Sequence, residues 1–87
     1  MLYISLRQYE YVIAVAEAGS LTRAAERLNV SQPSLSVAIT RVEERLGAQL
    51  FVRRKGSAIG ITPYGHRVIE RACDLLERAG RIEQGPD

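Results

Sequence analysis

The chain has 87 residues, of which 46% are hydrophobic and 25% charged, with a formal net charge of +2 at pH 7. This length and composition predict one small globular domain and exclude a disordered or collagen-like chain. The single cysteine and single histidine exclude a four-ligand zinc site and an internal disulfide, so we expect neither a metal nor another cofactor.

The first predicted helix begins at a capping box, in which Ser5 is followed three residues later by Gln8. Gly19 supplies the left-handed conformation that ends many helices. Between these signals, apolar residues recur with the helical period. Those that we expect to form the buried face are Leu6, Tyr9, Val12, Ile13 and Ala16.

Two more helices are predicted next, with a short turn between them. Ser20 caps the second helix, and Asn29 ends it because asparagine tolerates the left-handed conformation. Ser31 caps the third helix, Pro33 suits its first turn, and Gly47 ends it. The apolar residues on its inner face are Leu35, Ile39, Val42 and Leu46.

The pattern changes after the third helix. Residues 50–53 and 59–61 predict two short strands, and residues 54–57 between them have turn-forming composition. Thr62 and Pro63 are typical first residues of a helix, and the amphipathic pattern that follows runs for about five turns. We therefore expect a mostly α fold, a winged helix-turn-helix with a three-helix core and a two-stranded wing, followed by a long linker or dimerisation helix.

The domain boundaries follow from these elements. The winged helix-turn-helix is expected over residues 1–62, with the helix-turn-helix at 21–40 and the wing at 50–61. The linker helix is expected over residues 63–87.

Positive charge is concentrated in the middle of the sequence. Residues 18–69 carry eight basic and three acidic side chains, a net charge of +5, whereas both ends are net negative. Eleven of the twelve basic residues are arginines, whose planar guanidinium suits phosphates and guanine edges. On charge alone, a solvated surface is still the simpler interpretation.

The second and third helices have the composition of a helix-turn-helix motif. Ala24 and Ala25 are small enough for two helices to cross closely, and the polar outer face of the third helix suits a major groove about 12 Å wide. The alternative is a winged helix that binds another protein. That would need an exposed apolar patch on the third helix, where only Val37 is apolar, so DNA is favoured.

These residues closely resemble the DNA-binding region of LysR-type bacterial transcriptional regulators. The resemblance covers about residues 6–78 and is most specific in Ser-Gln-Pro-Ser-Leu-Ser at 31–36. The matching positions are Gly-Ser-Leu-Thr-Arg-Ala-Ala at 19–25, Leu28, Val30, residues 31–36, Val42-Glu43, Leu46-Gly47, Leu50-Phe51, Arg53 and Ile-Thr-Pro-Tyr-Gly at 61–65. The resemblance implies sequence-specific binding of double-stranded DNA.

The outer face of the third helix, taken with the resemblance, indicates the expected DNA-binding residues. They are Thr22, Ser31, Gln32, Pro33, Ser34, Ser36, Val37, Thr40, Arg41, Arg53, Arg54 and Lys55. The family commonly has arginine and glutamine where this chain has Val37 and Ala38. Because valine offers DNA only an apolar contact, such as to a thymine methyl group, the base preference at that step stays open, and we expect Gln32, Ser36, Thr40 and Arg41 to carry more of the readout.

The resemblance also implies a homodimer through the last helix and an operator that is an interrupted palindrome, with half-sites about 34 Å apart. The expected interface residues are Val68, Ala72, Leu75, Leu76 and Ala79. Family members continue into an effector-binding region of roughly 200 residues, one to two ordinary domains, and a tetramer of the full-length protein is left open as an alternative to the dimer. We therefore expect a DNA-binding fragment that lacks the effector site.

Other functions are less well supported. His66 and Asp74 lie eight residues apart on one helix, more than about 10 Å along its axis, which is too far for a catalytic pair, so no enzyme is expected. The longest apolar run, residues 11–16, is too short to cross a membrane, and a lone thiol fits a cytoplasmic protein.

Cys73 is expected in the core or at an interface, and Gly65 is expected to serve a turn or a strand bend.

Overall fold

The computed structural model describes residues 3–86, so residues 1, 2 and 87, at the outer ends of the two expected segments, lie outside it. The described part contains four helices and a two-stranded antiparallel sheet, which confirms the expected fold class. The elements are α1 Leu6–Ala18, α2 Leu21–Leu28, α3 Gln32–Leu46, β1 Phe51–Arg53, β2 Ile59–Ile61 and α4 Pro63–Glu83. In the sheet, Phe51 pairs with Ile61 and Arg53 pairs with Ile59.

The helix ends lie where the local sequence signals place them. The Gln8 backbone N–H donates to Ser5 Oγ at 3.1 Å, and the Ser5 N–H donates to Gln8 Oε1 at 2.8 Å, which completes the capping box of α1. Ser20 and Ser31 cap α2 and α3 more simply, because each side chain accepts one backbone N–H of its helix. Asn29 adopts a φ of 56°, the left-handed conformation that ends α2.

The core lies between α1, α2, α3 and the first residues of the sheet. Its largest fully buried side chains are Leu35, Ile39, Leu50, Val12, Val15 and Val42. Burying one such side chain contributes about 1.5–3 kcal/mol. Since α3 and the strand that follows it share this core, the core fixes where the wing leaves the helix.

The expected buried face of α1 is confirmed at Val12, and Tyr9 and Ala16 pack against the core, but Val15 was missed. Val12 and Val15 are fully buried, whereas Leu6 is 41% exposed and Tyr9 is only half-buried. The reason is that α1 packs against α2 and α3 and also against α4. The most buried residues are those that face between these neighbours, which the apolar period alone does not identify.

The start of α4 is hydrogen-bonded to the residues that precede β1. Thr62 Oγ1 accepts the Gly65 N–H at 2.9 Å and donates to the Gln49 carbonyl at 2.8 Å, while the Thr62 N–H donates to the Leu50 carbonyl at 3.0 Å. Gly65 is buried, and a Cβ at this position would overlap the Leu50 carbonyl oxygen and lie 2.9 Å from the carbonyl carbon. The expectation that Gly65 serves a turn or a strand bend is therefore wrong, because it permits close packing in the first turn of α4.

Within residues 3–86, none of the helices combines the length and the hydropathy that crossing a bilayer would require.

Candidate nucleic-acid interface

A tight turn joins α2 to α3. The Asn29 N–H donates to the Glu26 carbonyl at 3.2 Å, and the Val30 N–H donates to the Ala25 carbonyl at 3.0 Å. Ala24 and Ala25 are buried, as a close crossing of the two helices requires, and Leu35 fills the space beneath them. This packing directs the opposite face of α3 towards solvent.

The solvent-facing side of α3 is small and polar. Ser36 is half-buried, whereas the other residues of this helix and its cap that are predicted to bind DNA are exposed, as is Thr22 on α2: Ser31, Gln32, Pro33, Ser34, Val37, Thr40 and Arg41. Val37 is 51% exposed and is the large apolar side chain of this face. Ser31 Oγ accepts the Ser34 N–H at 3.2 Å, which caps the helix, and donates to Ser34 Oγ at 2.8 Å.

The wing presents three adjacent cations. Arg53, Arg54 and Lys55 are all exposed, and the Arg54 N–H closes the turn by donating to the Ala58 carbonyl at 2.9 Å. The Arg54 guanidinium lies over β2, since a Cβ on Gly60 would fall 2.6 Å from its Nε. The wing therefore carries its charge above the sheet as well as at its tip.

The wing is attached to the turn between α1 and α2. The Leu21 N–H donates to the Ser57 carbonyl at 3.0 Å, and the Ile59 N–H donates to the Gly19 carbonyl at 3.1 Å. The hydroxyls of Ser20 and Ser57 are hydrogen-bonded at 3.1 Å. These bonds hold the base of the wing against the helical core.

Two side chains of α3 also hold the wing. Glu43 Oε2 accepts the N–H groups of Leu50 and Phe51, at 2.7 and 3.2 Å, and Ser36 Oγ accepts a hydrogen bond from Arg53 Nη2 at 2.9 Å. The sequence pattern predicted no structural role for Glu43. One feature of the sequence could have indicated such a role: Glu43 is acidic although it lies in the basic middle of the chain.

The predicted interface residues of α4 differ in exposure. Leu75 is 38% exposed, and Val68, Leu76 and Ala79 are half-buried. Ala72 is only 3% exposed, because it packs within the chain itself and so has little surface left for a partner. Cys73 is exposed, so the thiol is not in the core of the single chain, and its burial at an interface stays a prediction.

Histidine and carboxylate side chains are dispersed over residues 3–86. His66 and Asp74 are both exposed on α4, eight residues apart. The described residues contain no group of three or more histidine, cysteine, aspartate or glutamate side chains that could hold a metal ion. The predicted residues that the structure does bring together are those of α3 and the wing.

A short helix crossed by a second helix with an exposed polar face, and flanked by a basic two-stranded wing, defines a winged helix-turn-helix protein of the nucleic-acid-binding class. The sequence profile described as "Bacterial regulatory helix-turn-helix protein, lysR family" matches residues 6–66. The chain belongs to this family.

Related proteins and structures agree with this membership. The small neutral protease regulatory protein of Streptomyces coelicolor is 45% identical over 73 residues, which are 84% of this chain and 22% of that protein. The chain thus spans about a fifth of the length of that regulator. The crystal structure of the CbnR DNA-binding domain in complex with DNA is 42% identical, with a TM-score of 0.86, and the match covers 92% of this chain and 91% of that one. The BenM DNA-binding domain bound to benA site 1 DNA is 38% identical, also with a TM-score of 0.86, covering 92% and 89% of the two chains.

Proposed function

We propose that this chain binds specific sites on double-stranded DNA as the DNA-binding region of a transcription regulator. The exposed face of α3 enters the major groove, and the wing contacts the sugar-phosphate backbone or the minor groove. The observation that carries this proposal is the hydrogen bond from Arg53 to Ser36, which joins the first cation of the wing to the exposed side of the recognition helix. The similarity to two DNA-binding domains solved with DNA supports it.

The start of α3 suits a phosphate group. Its first turn contains no acidic residue, and Gln32, Pro33 and Ser34 are exposed there. The positive end of the helix dipole favours an anion at this position, although Pro33 lacks an N–H and the Ser34 N–H already donates to Ser31 Oγ. A phosphate contact here would orient α3 while its side chains reach the bases.

We also propose that two copies assemble through α4 into a two-fold dimer. Leu75 and Ile82 of α4 are 38% and 81% exposed, and Leu6 of α1 lies in the groove beside Leu76. Pairing of these apolar surfaces would remove them from water. A two-fold dimer reads an interrupted palindrome, so the operator is expected to have that form.

The remaining features of the regulator are proposals of the same kind. Such a protein acts on the chromosome in the cytoplasm and regulates transcription without catalysing a reaction. For a full-length regulator of this family, we propose an additional effector-binding region and assembly as a tetramer.

Selection from a pool of random duplexes, at several salt concentrations, tests the proposed function. We expect the bound duplexes to share a palindromic consensus. The logarithm of the affinity should fall with that of the salt concentration with a slope of about −5, for roughly six phosphate contacts per dimer. Binding without sequence preference even at low salt would contradict the proposal and favour a protein-binding winged helix.

Arg54→Ala is expected to weaken binding to all duplexes alike, because this exposed wing arginine is placed to contact phosphate. Loss of one phosphate contact from each protomer should reduce the salt slope by about 0.9 per contact. Titrations of a selected and a scrambled duplex by fluorescence anisotropy measure both effects. Arg7→Ala removes the same charge from α1 and should leave the slope unchanged, whereas equal effects of the two variants would contradict a specific role of the wing.

A further inference from the structure

The wing strand β1 is attached to the recognition helix at two points. At its start, the carboxylate of Glu43 accepts the backbone N–H groups of Leu50 and Phe51. At its far end, Arg53 Nη2 donates to Ser36 Oγ at 2.9 Å. Both acceptors belong to α3, so this helix holds both ends of the strand.

The distance along α3 between the two acceptors is similar to the length of the strand. Ser36 and Glu43 are seven residues apart, which places them on one face of α3 about 10.5 Å apart. Residues 50–53 of an extended strand span about 10 Å. The two acceptors are therefore about as far apart along the helix as the two ends of the strand, so that one helix can accept a hydrogen bond from each end.

The contact at Ser36 restricts a side chain that is otherwise free to move. Arg53 is exposed, and a long exposed side chain loses rotamer entropy when a ligand orders it, which reduces affinity. The Ser36 hydroxyl occupies one of the five N–H donors of the guanidinium and leaves about four for DNA. Arg53 is thus partly ordered before DNA arrives and keeps most of its capacity to bind.

We propose that Ser36 is a positioning residue for DNA binding, whose hydroxyl holds the Arg53 guanidinium beside α3 so that wing and recognition helix meet DNA as one unit. This inference rests on the proposed function, since it concerns how the same surface meets DNA. Ser36 contributes to affinity through Arg53. This role replaces the sequence-based expectation that Ser36 itself contacts DNA, as Gln32, Thr40 and Arg41 are expected to do.

A double-mutant cycle on DNA affinity tests this coupling. Ser36→Ala should weaken binding to the selected duplex about fivefold, the loss expected when a charged donor loses one exposed partner. In the Arg53→Ala background, Ser36→Ala should have no further effect, because its hydroxyl then has nothing to hold. Ser36→Thr keeps the hydroxyl and should retain the wild-type affinity.

Thr40→Ala is the matched control. Thr40 lies one turn further along the exposed face, and its effect should add to that of Arg53→Ala. Additive losses for Ser36→Ala and Arg53→Ala would show that Ser36 contacts DNA itself and would overturn the inference. An unchanged affinity of the Ser36→Ala variant would overturn it as well.

A measurement without DNA separates this inference from the proposed function. NMR relaxation of the Arg53 Nε–H group in the free protein should show greater mobility in Ser36→Ala, while that of Arg54 stays the same. Equal mobility of Arg53 in both proteins overturns the inference whether or not DNA binds. A restrained Arg53 in a protein without site-specific DNA binding overturns the proposed function alone.

Discussion

Gly65→Ala is expected to destabilise the protein by about 3 kcal/mol or more, because the new methyl group overlaps the backbone carbonyl of Leu50. Backbone atoms cannot rotate away as a flexible side chain can, so either α4 or the segment before β1 must shift. For a domain of this size, the loss corresponds to a fall in melting temperature of more than about 10 °C. Thermal unfolding followed by circular dichroism measures it.

Gly80→Ala in the same helix is the matched control. A Cβ at Gly80 meets nothing within 4 Å, so the substitution should stabilise the protein by about 0.5–1 kcal/mol through the higher helix propensity of alanine. The two variants introduce the same methyl group with opposite expected signs. A melting temperature of Gly65→Ala close to that of the wild type would mean that the approach of α4 to Leu50 does not depend on glycine.

Leu75→Asp is expected to separate the proposed dimer and to weaken binding to a palindromic duplex about 100-fold. The dimer brings its second recognition helix to the second half-site at a high effective concentration, an advantage of roughly 10²–10⁴ that a monomer loses. Leu75 is 38% exposed on α4, where an aspartate would place a charge in the apolar contact. Sedimentation velocity gives the oligomeric state, and titration of full and half-site duplexes gives the affinities.

Cys73→Asp introduces the same charge at an exposed position of the same helix. Residue 73 lies about 200° around the helix from residue 75, so an interface centred on Leu75 would leave Cys73 outside it, and this variant also tests the sequence-based prediction that Cys73 is buried at an interface. It should leave the dimer and its affinity unchanged, and binding to a single half-site should be the same for both variants. A dimeric Leu75→Asp protein with full affinity would contradict an interface at Leu75.

The sequence predicted most reliably those features whose partners lie close together in the chain. Each capping hydroxyl, such as those of Ser5, Ser20 and Thr62, accepts a backbone N–H three residues away. A bond over so short a distance depends on few other contacts, and the cap residues are recognisable by type. For the same reason the left-handed ends at Gly19 and Asn29 were predictable.

The buried face of α1 was not predictable in the same way. An apolar stripe shows that a helix has a buried side, but the partners decide which of its residues are fully enclosed. Because α1 meets both α2 and α4, Val12 and Val15 are enclosed and Leu6 is left 41% exposed. In the proposed dimer, a second copy of the chain would cover the exposed Leu6 side chain.

In the candidate site, too, local features were predictable from the sequence, whereas contacts between distant residues were not. The sequence by itself determined the helix ends, the order of the elements and the polar, basic character of α3 and the wing, because these follow from residue type and short-range hydrogen bonds. The tertiary structure alone decided that Glu43 and Ser36 hold the wing strand and that Gly65 packs on Leu50. These contacts join residues 7 to 17 positions apart, and such pairs come within hydrogen-bonding distance only after the core has fixed the angle between helix and sheet.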